Sequence, residues 1–388
     1  MYVGTLDSPD GNKLADADAG AIYVSTPPGF VLFRRQGTLV AQLFDAGTLK
    51  LAGDPLIVAE HTAVNLGRTA ASSAATGTIA YRMADAAALH LAWIDRAGKL
   101  LGTVGDPDTT SLTGLELSPD GTRVARDRII NGNADIWLIE TARNIATRFT
   151  FDPGFDVLPL WSPDGRRIVF SSNRKGSFGL YEKSVTGGGA ERLLLATPQK
   201  NVHAEDWSPD GRFLLYRVAD ATGRDLWVLP LVGPDGEGRK PFPVVQTEFE
   251  EREGQFSPDG KWIVYASNRS GRFEIYAQPF PGPGGTSLVS TAGGVQPRWR
   301  RDGKELFYIA PGGRMTAVSI AAAPDGQSLQ AGQPVGLFAS RIARGGTPGG
   351  DKHAYAVSPD GQRFLIEQTT EQAAAPITIV LNWHGGKQ

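Results

Sequence analysis

Eight glycines stand at nearly equal intervals along this chain. They are Gly29, Gly77, Gly121, Gly165, Gly211, Gly260, Gly303 and Gly361, separated by 48, 44, 44, 46, 49, 43 and 58 residues. Five of them, at 121, 165, 211, 260 and 361, end the string Ser-Pro-Asp-Gly. Gly303 ends Trp-Arg-Arg-Asp-Gly, which keeps the aromatic residue and the Asp-Gly pair, while Gly29 and Gly77 end the looser strings STPPG and SAATG. Self-similarity at a period of about 45 residues means one supersecondary unit copied along the chain.

Each copy has the same inner order. An extended segment ends in Trp, Phe, Leu or Val, and the Asp-Gly turn follows. An apolar run comes next (RRIVFSS, RFLLYRV, KWIVYAS), then a third strand (ADIWLIE, FGLYEKS, FEIYAQP) and a weaker fourth (AERLLLA, PFPVVQT). Aromatic and β-branched runs punctuated by Gly, Pro, Asp and Asn are the pattern of antiparallel strands, and no amphipathic helical period of ten residues is visible. Four strands per unit make a β-propeller blade. The fold class expected is all-β: a propeller of eight four-stranded blades, with seven as the alternative. Residues 1–388 are read as a single domain. After Gly361 the chain offers QRFLIEQ and PITIVLNW, so residues 1–19, beginning MYVGTL, are expected to supply the strand that completes the last blade and closes the ring.

The turn itself has local reasons for its residues. Gly takes a positive φ at no steric cost, Pro sets φ at the turn entrance, and Ser and Asp side chains bond backbone N–H groups. A motif written once per blade is therefore read as structure rather than catalysis. The same holds for SNR at 172–174 and 267–269, where Asn is expected in a left-handed turn position and Arg beside a neighbouring blade.

The SPDG, IVF/IVY and SNR pattern resembles the WD40-like repeats of the TolB family, shared with tricorn-type and prolyl-oligopeptidase-type propellers. Stretches such as YVGTLDS, LSPDGTRVA, WSPDGRRIVFSS, QPRWRRDGKELFY and PITIVLNW further resemble the C-terminal propeller of bacterial membrane-anchored serine/threonine kinases. That resemblance implies an extracytoplasmic sensing or binding domain, periplasmic or at the cell surface. The start MYVGTLDSPDGNKL has neither the basic nor the apolar region of a signal peptide and reads like the interior of a domain.

Composition narrows the chemistry. Lys+Arg 39 against Asp+Glu 41 leaves a net charge of −2, which provides no global field for nucleic acid or an anionic membrane. There is no cysteine, hence no disulfide, thiol nucleophile or Cys-ligated metal. No run is long and apolar enough to span a bilayer. Kinase, P-loop, G-x-S-x-G and H-E-x-x-H signatures are all missing; KGSFG at 175–179 has the wrong spacing, and TGGGAE at 186–191 opens no helix. Five histidines are too few for a His-rich metal centre, and only His203 and His353, beside His61, His90 and His384, precede a first strand. Asp16 and Asp18 hint at a Ca2+ loop, but the third carboxylate and the closing Glu are absent, so no cofactor is expected.

The expected function is a non-catalytic module, monomeric, that binds a protein or small-molecule ligand at a mouth of the central channel. The residues assigned to that mouth are Asp156, His203, Glu205, Glu251, Arg252, Glu253, Gln296, Arg298 and His353, because polar groups converging on a concavity make ligand sites. Arg300 and Arg301 flank the same approach. Trp299, in phase with Trp161, Trp207 and Phe256, is expected in the interblade core. The alternative is a propeller lyase or hydrolase with carboxylates, His and a metal at the channel. The Gly-rich stretch 345–350 is expected as a loop at the rim.

Overall fold

The computed structural model describes residues 1–388 except 5–10, 61, 66–67, 75, 83–88, 109, 131, 187–188, 221–222, 232–239, 283, 324–325, 327, 343–351, 370–376, 382 and 384–388. The readings made on His61, His384, Gly187, Gly188 and the stretch 345–350 lie outside the described residues. Among those described there is no helix. The chain forms two compact units, one of Met1–Ala87 with Glu371–Gln388, the other Ala88–Thr370.

The second unit holds the phased repeats from Gly121 onward, and they fold as blades. Blade 1 runs from Ser111–Leu117 through Arg123–Ile130 and Asn133–Glu140 to Ala146–Arg148. Blade 2 starts at Asp156–Trp161, blade 3 at Asn201–Trp207, blade 4 at Glu251–Phe256 and blade 5 at Val295–Trp299, each continuing through strands that pair in sequence order. Blade 6 is composite. Tyr355–Val357 and Arg363–Thr369 are followed outward by Leu89–Asp95 and Leu100–Asp108.

This corrects the expected closure. Strand Arg363–Thr369 pairs with Leu89–Asp95 in unbroken register from Leu89↔Thr369 to Asp95↔Arg363. Tyr2–Val3 instead makes a two-residue ladder with Asn12–Lys13. The physical reason is burial on both faces. Leu91 joins the core against blade 1, while Ala92 and Ile94 join the core against blade 5, so this strand is apolar all round. Ile377–Val380, by contrast, lies at the edge of a three-stranded sheet with Ile79–Arg82 and Ala71–Ser73, with Ile377 and Ile379 exposed.

Six blades, rather than eight or seven, therefore make the ring, and six hydrophobic clusters join them. Trp161, Ile168 and Phe170 pack on Ala125 and Ile136 between blades 1 and 2. Leu160 and Val169 meet Val202 and Trp207; Leu215 and Val228 meet Phe256 and Tyr265; Val264 and Ile275 meet Leu306 and Tyr308. Phe307 and Ile309 meet Tyr355 and Phe364, and Leu365 and Ala356 meet Leu115 and Val124, which returns to blade 1. A blade is apolar on both faces, so only a closed ring removes every such face from water.

In the first unit, Ile22–Val24, Phe30–Arg35, Thr38–Asp45 and Lys50–Ala59 form a four-stranded antiparallel sheet. Its core of Val24, Phe30, Leu32, Leu39 and Ala41 also buries Ile79 and packs Trp383 edge-on against Phe30. Gly29 takes a φ of 90° at the first turn of this sheet, and Gly77 one of 78° beside Ile79–Arg82.

Candidate functional site

The repeated turn is one hydrogen-bonded device. In Ser257-Pro258-Asp259-Gly260, Asp259 Oδ1 accepts from Ser257 Oγ (2.5 Å) and Lys261 N (3.1 Å), and Ser257 Oγ accepts from Trp262 N (3.0 Å). Gly260 takes a φ of 70°. The turns at Ser118, Ser162, Ser208 and Ser358 repeat these bonds. Asn173 and Asn268 do not occupy left-handed positions as expected. Their side chains accept from Phe155 N and Glu250 N, and Gly176 and Gly271 take the positive φ. Arg174 pairs within its own blade, with Asp156 and Glu191.

With Ser and Asp turned inward, the proline of each turn is left to face outward. Pro119, Pro163, Pro209, Pro258 and Pro359 line one cavity of about 510 Å³, and Arg301 occupies the same place in blade 5. Five blades contribute a proline and one an arginine, so the cavity is a cup at the mouth of the ring on the side of these turns.

The floor of the cup comes from the residue before the aromatic phase position of the first strand in blades 1, 4, 5 and 6, namely Glu116, Gln255, Arg298 and Ala356. A β-bulge precedes that position in blades 1 to 5, between Ser111/Leu115, Val157/Leu160, Ala204/Asp206, Arg252/Gln255 and Val295/Arg298. Gly114, Leu158, Glu253 and Gln296, at one phase, have positive φ (82°, 57°, 57° and 57°). A bulge re-aims the side chains beyond it, and a non-glycine residue held at positive φ costs on the order of 1–3 kcal/mol, here offset by the ring around it.

Those re-aimed side chains bond across the ring. Arg298 of blade 5 grips Glu116 of blade 1 with two bonds, of 2.8 and 3.2 Å, passing blade 6. Lys352, leading into blade 6, donates to the Pro159 carbonyl of blade 2 and lies 3.7 Å from Glu116. With its amide oriented to satisfy both neighbours, Gln255 donates to the Pro297 carbonyl and accepts from Arg298 Nη1, both at 3.1 Å. Asp206 accepts from Phe256 N at 2.7 Å. These contacts link blade 5 to blade 1, blade 6 to blade 2, blade 4 to blade 5 and blade 3 to blade 4. Burial pushes the Asp206 carboxyl up to about 7 despite the backbone N–H groups it accepts from, with Glu116 adding to the rise. Burial also lowers the Lys352 ammonium pKa, against the pull of Glu116. Burial works against the Arg298 cation, but Glu116 outweighs it and the pKa is raised.

Of the nine residues assigned to the channel mouth, Arg298 lines this cup. Three others form one buried chain across blades 4, 5 and 6, with Tyr355 joining them. Glu253 accepts from Gln296 N (2.6 Å), Gln296 Oε1 accepts from Ala354 N (2.9 Å), Tyr355 donates to the Gln296 carbonyl (2.7 Å), and His353 Nε2 bonds the Pro297 carbonyl (2.9 Å). Burial first, then Arg298, holds the His353 pKa well below its usual value. The remaining five are dispersed. Asp156 is clamped by Arg174 at 2.9 and 3.1 Å, and Glu251 accepts from Thr247 (2.7 Å) and Ser267 (3.0 Å). The Arg252 guanidinium lies 3.8 Å from the Phe273 ring centre. Glu205 pairs with Arg217 at 3.4 Å, and half-buried His203 stands 5.2 Å from Phe178. His203 and His353 belong to blades 3 and 6, opposite one another in a ring of six. Among the described residues no three His, Asp or Glu side chains are grouped to hold a metal.

Trp299 packs half-buried on the core between blades 4 and 5, as its phase implied, and also lines the cup. The sequence reading missed Glu116, Gln255, Asp206 and the proline collar. Their signal was the phase itself, since each stands at a constant offset from the marker glycine.

Residues 113–228, spanning blades 1 and 2 and most of blade 3, match the family model described as PD40, TolB beta propeller domain. Within residues 113–228 the repeats match the TolB-type propeller repeat. The solved structure of a putative TolB from Agrobacterium tumefaciens shares the fold with a TM-score of 0.53 at 17% identity, over 74% of this chain and 99% of that one. Among curated proteins, the uncharacterized peptidase YuxL of Bacillus subtilis (strain 168) is 34% identical over 122 residues, 30% of this chain and 18% of that protein. The Tol-Pal system protein TolB of Bordetella pertussis is 44% identical over 43 residues, 11% of this chain and 10% of that protein. This chain thus spans between 10% and 26% of the length of such curated relatives.

Proposed function

We propose that the chain is a non-catalytic binding module whose cup, on the side of the SPDG turns, receives a segment of a partner protein. The observation that carries this reading is the cup itself: a solvent-facing collar contributed once per blade, over a floor whose charges are already committed to one another. Glu116 is held by Arg298 and Lys352, and Gln255 by Pro297 and Arg298, so the floor is a rigid polar surface rather than a set of groups poised for proton transfer. A volume of about 510 Å³ falls within the range of ligand sites, roughly 300–1,000 Å³. We infer an extracytoplasmic setting; the resemblance to kinase-linked propellers and the likeness to a Tol-Pal system protein support it.

The test is a pull-down from bacterial envelope extract with the intact chain and with Pro209→Trp, which fills the cup from the rim. A partner retained by the first and lost by the second is expected. Steady turnover of a defined substrate, abolished by one substitution in the cup, would replace the binding reading with an enzymatic one.

A further inference from the structure

We propose that the cup selects acidic peptide segments, with Arg301 holding the ligand carboxylate; this deepens, and rests on, the reading of the cup as a binding site. The turn of blade 5 departs from the other five in two places, Arg300 for serine and Arg301 for proline. Arg300 assumes the structural role. It grips Asp302 with bonds of 2.7 and 2.8 Å and Glu305 with one of 3.0 Å, so the local carboxylates are neutralised without Arg301. Arg301 is exposed, lines the cup, and among the described residues has no hydrogen bond or ion pair.

The rest of the rim makes that one guanidinium decisive. Proline offers an apolar surface and no N–H, so the collar supplies contact area but no donor. The aspartates of the turns stay ionised but do not line the cup, where Glu116, Arg298 and Arg301 are the charged side chains; each directs an oxygen back to its own turn, as Asp259 does to Ser257 and Lys261 N. Arg298 in the floor is already spent on Glu116. The cup is therefore polarised, with a cation on blade 5 and proline on blade 2 opposite. Guanidinium pairs with carboxylate through two parallel N–H bonds, and rim charges govern which partner is admitted. A peptide placing Asp or Glu at Arg301 and an aromatic or aliphatic neighbour toward Pro163 satisfies both halves.

The experiment is selection of a phage-displayed random heptapeptide library on the intact chain. The enriched peptides are then synthesised and titrated against wild type, R301K, R301P and P209W. R301P writes into blade 5 the residue that the other five turns carry, so it folds. The expected result is enrichment of Asp or Glu beside an apolar residue, with Kd raised about tenfold by R301P, far less by R301K, and about tenfold when the peptide's acid becomes its amide. Peptides that are lost on P209W but carry no acid, or ignore R301P, overturn the acidic specificity and leave the cup as the site. Peptides indifferent to P209W, or no enrichment at all, overturn both.

Discussion

Asp206 offers a direct reading of the polar contacts that the bulges make between blades. Its carboxyl is raised from 3.8 to about 7, chiefly by burial. A carboxyl with a raised native pKa binds its proton more tightly folded than unfolded. Its favourable contribution is therefore complete below the unfolded pKa near 4, falls as pH rises, and is gone above about 7. A rise of that size corresponds to about 4 kcal/mol between the extremes, and to roughly 2–3 kcal/mol between pH 5 and pH 8. Asp206→Asn keeps an oxygen to accept from Phe256 N and removes the titration. Urea unfolding of the propeller unit, followed at pH 5, 6, 7 and 8, should show the variant gaining on wild type by roughly 2–3 kcal/mol across that range. A difference between the two proteins that does not change with pH would refute the burial argument for this residue.

Other consequences are equally concrete. Arg126 and Glu367, both buried, pair at 2.6 Å between blades 1 and 6; Arg126→Met should cost about 3–5 kcal/mol by leaving a buried carboxylate without its cation, measured by chemical denaturation. Ser257→Ala removes the hydroxyl that bonds Asp259 and Trp262 N and should cost about 1–3 kcal/mol, read from the same denaturation curves. Gly254→Ala would place its Cβ 2.7 Å from Leu215 Cδ2 and 3.0 Å from Leu226 Cδ1; overpacking of about 1–3 kcal/mol should appear as a lower unfolding midpoint, whereas an unchanged midpoint would mean blades 3 and 4 are loosely packed there.

Much of the ring was legible because its signals are local. The Asp-Gly turns have their positive φ at Gly121, Gly165, Gly211, Gly260, Gly303 and Gly361 (69° to 75°), and Trp161, Trp207 and Phe256 are buried between blades as their common phase implied. Closure was not legible because it is a choice between distant strands. The stretches MYVGTL and LHLAWID are both apolar and extended in sequence, and only the two-sided burial of Leu91, Ala92 and Ile94 decides which one joins Arg363–Thr369. The candidate site divides the same way. Arg300 and Arg301 stand where the blade 5 turn loses its Ser-Pro, and Arg298 was assigned as a polar residue beside them, whereas the pairing of Glu116 with Arg298 spans 182 residues and depends on bulges that alternation in sequence does not reveal. Polar residues such as Asp156, Glu251 and Glu253 were assigned to a mouth by residue type, and the fold uses each to bond a specific backbone or side-chain donor.

The ring of six, closed by strands from opposite ends of its unit, is the frame on which the cup depends, and one cross-link tests it. His90 and Gln368 are half-buried and directly paired across the closing ladder, and the chain contains no cysteine of its own. The double variant His90→Cys/Gln368→Cys should form an intramolecular disulfide under mild oxidation, seen as a single cross-linked peptide by mass spectrometry, because directly paired antiparallel residues lie about 4.5–5.5 Å apart at Cα. Free thiols in that variant, together with a cross-link in Val3→Cys/Ile379→Cys, would show that the amino-terminal strand closes the sheet instead.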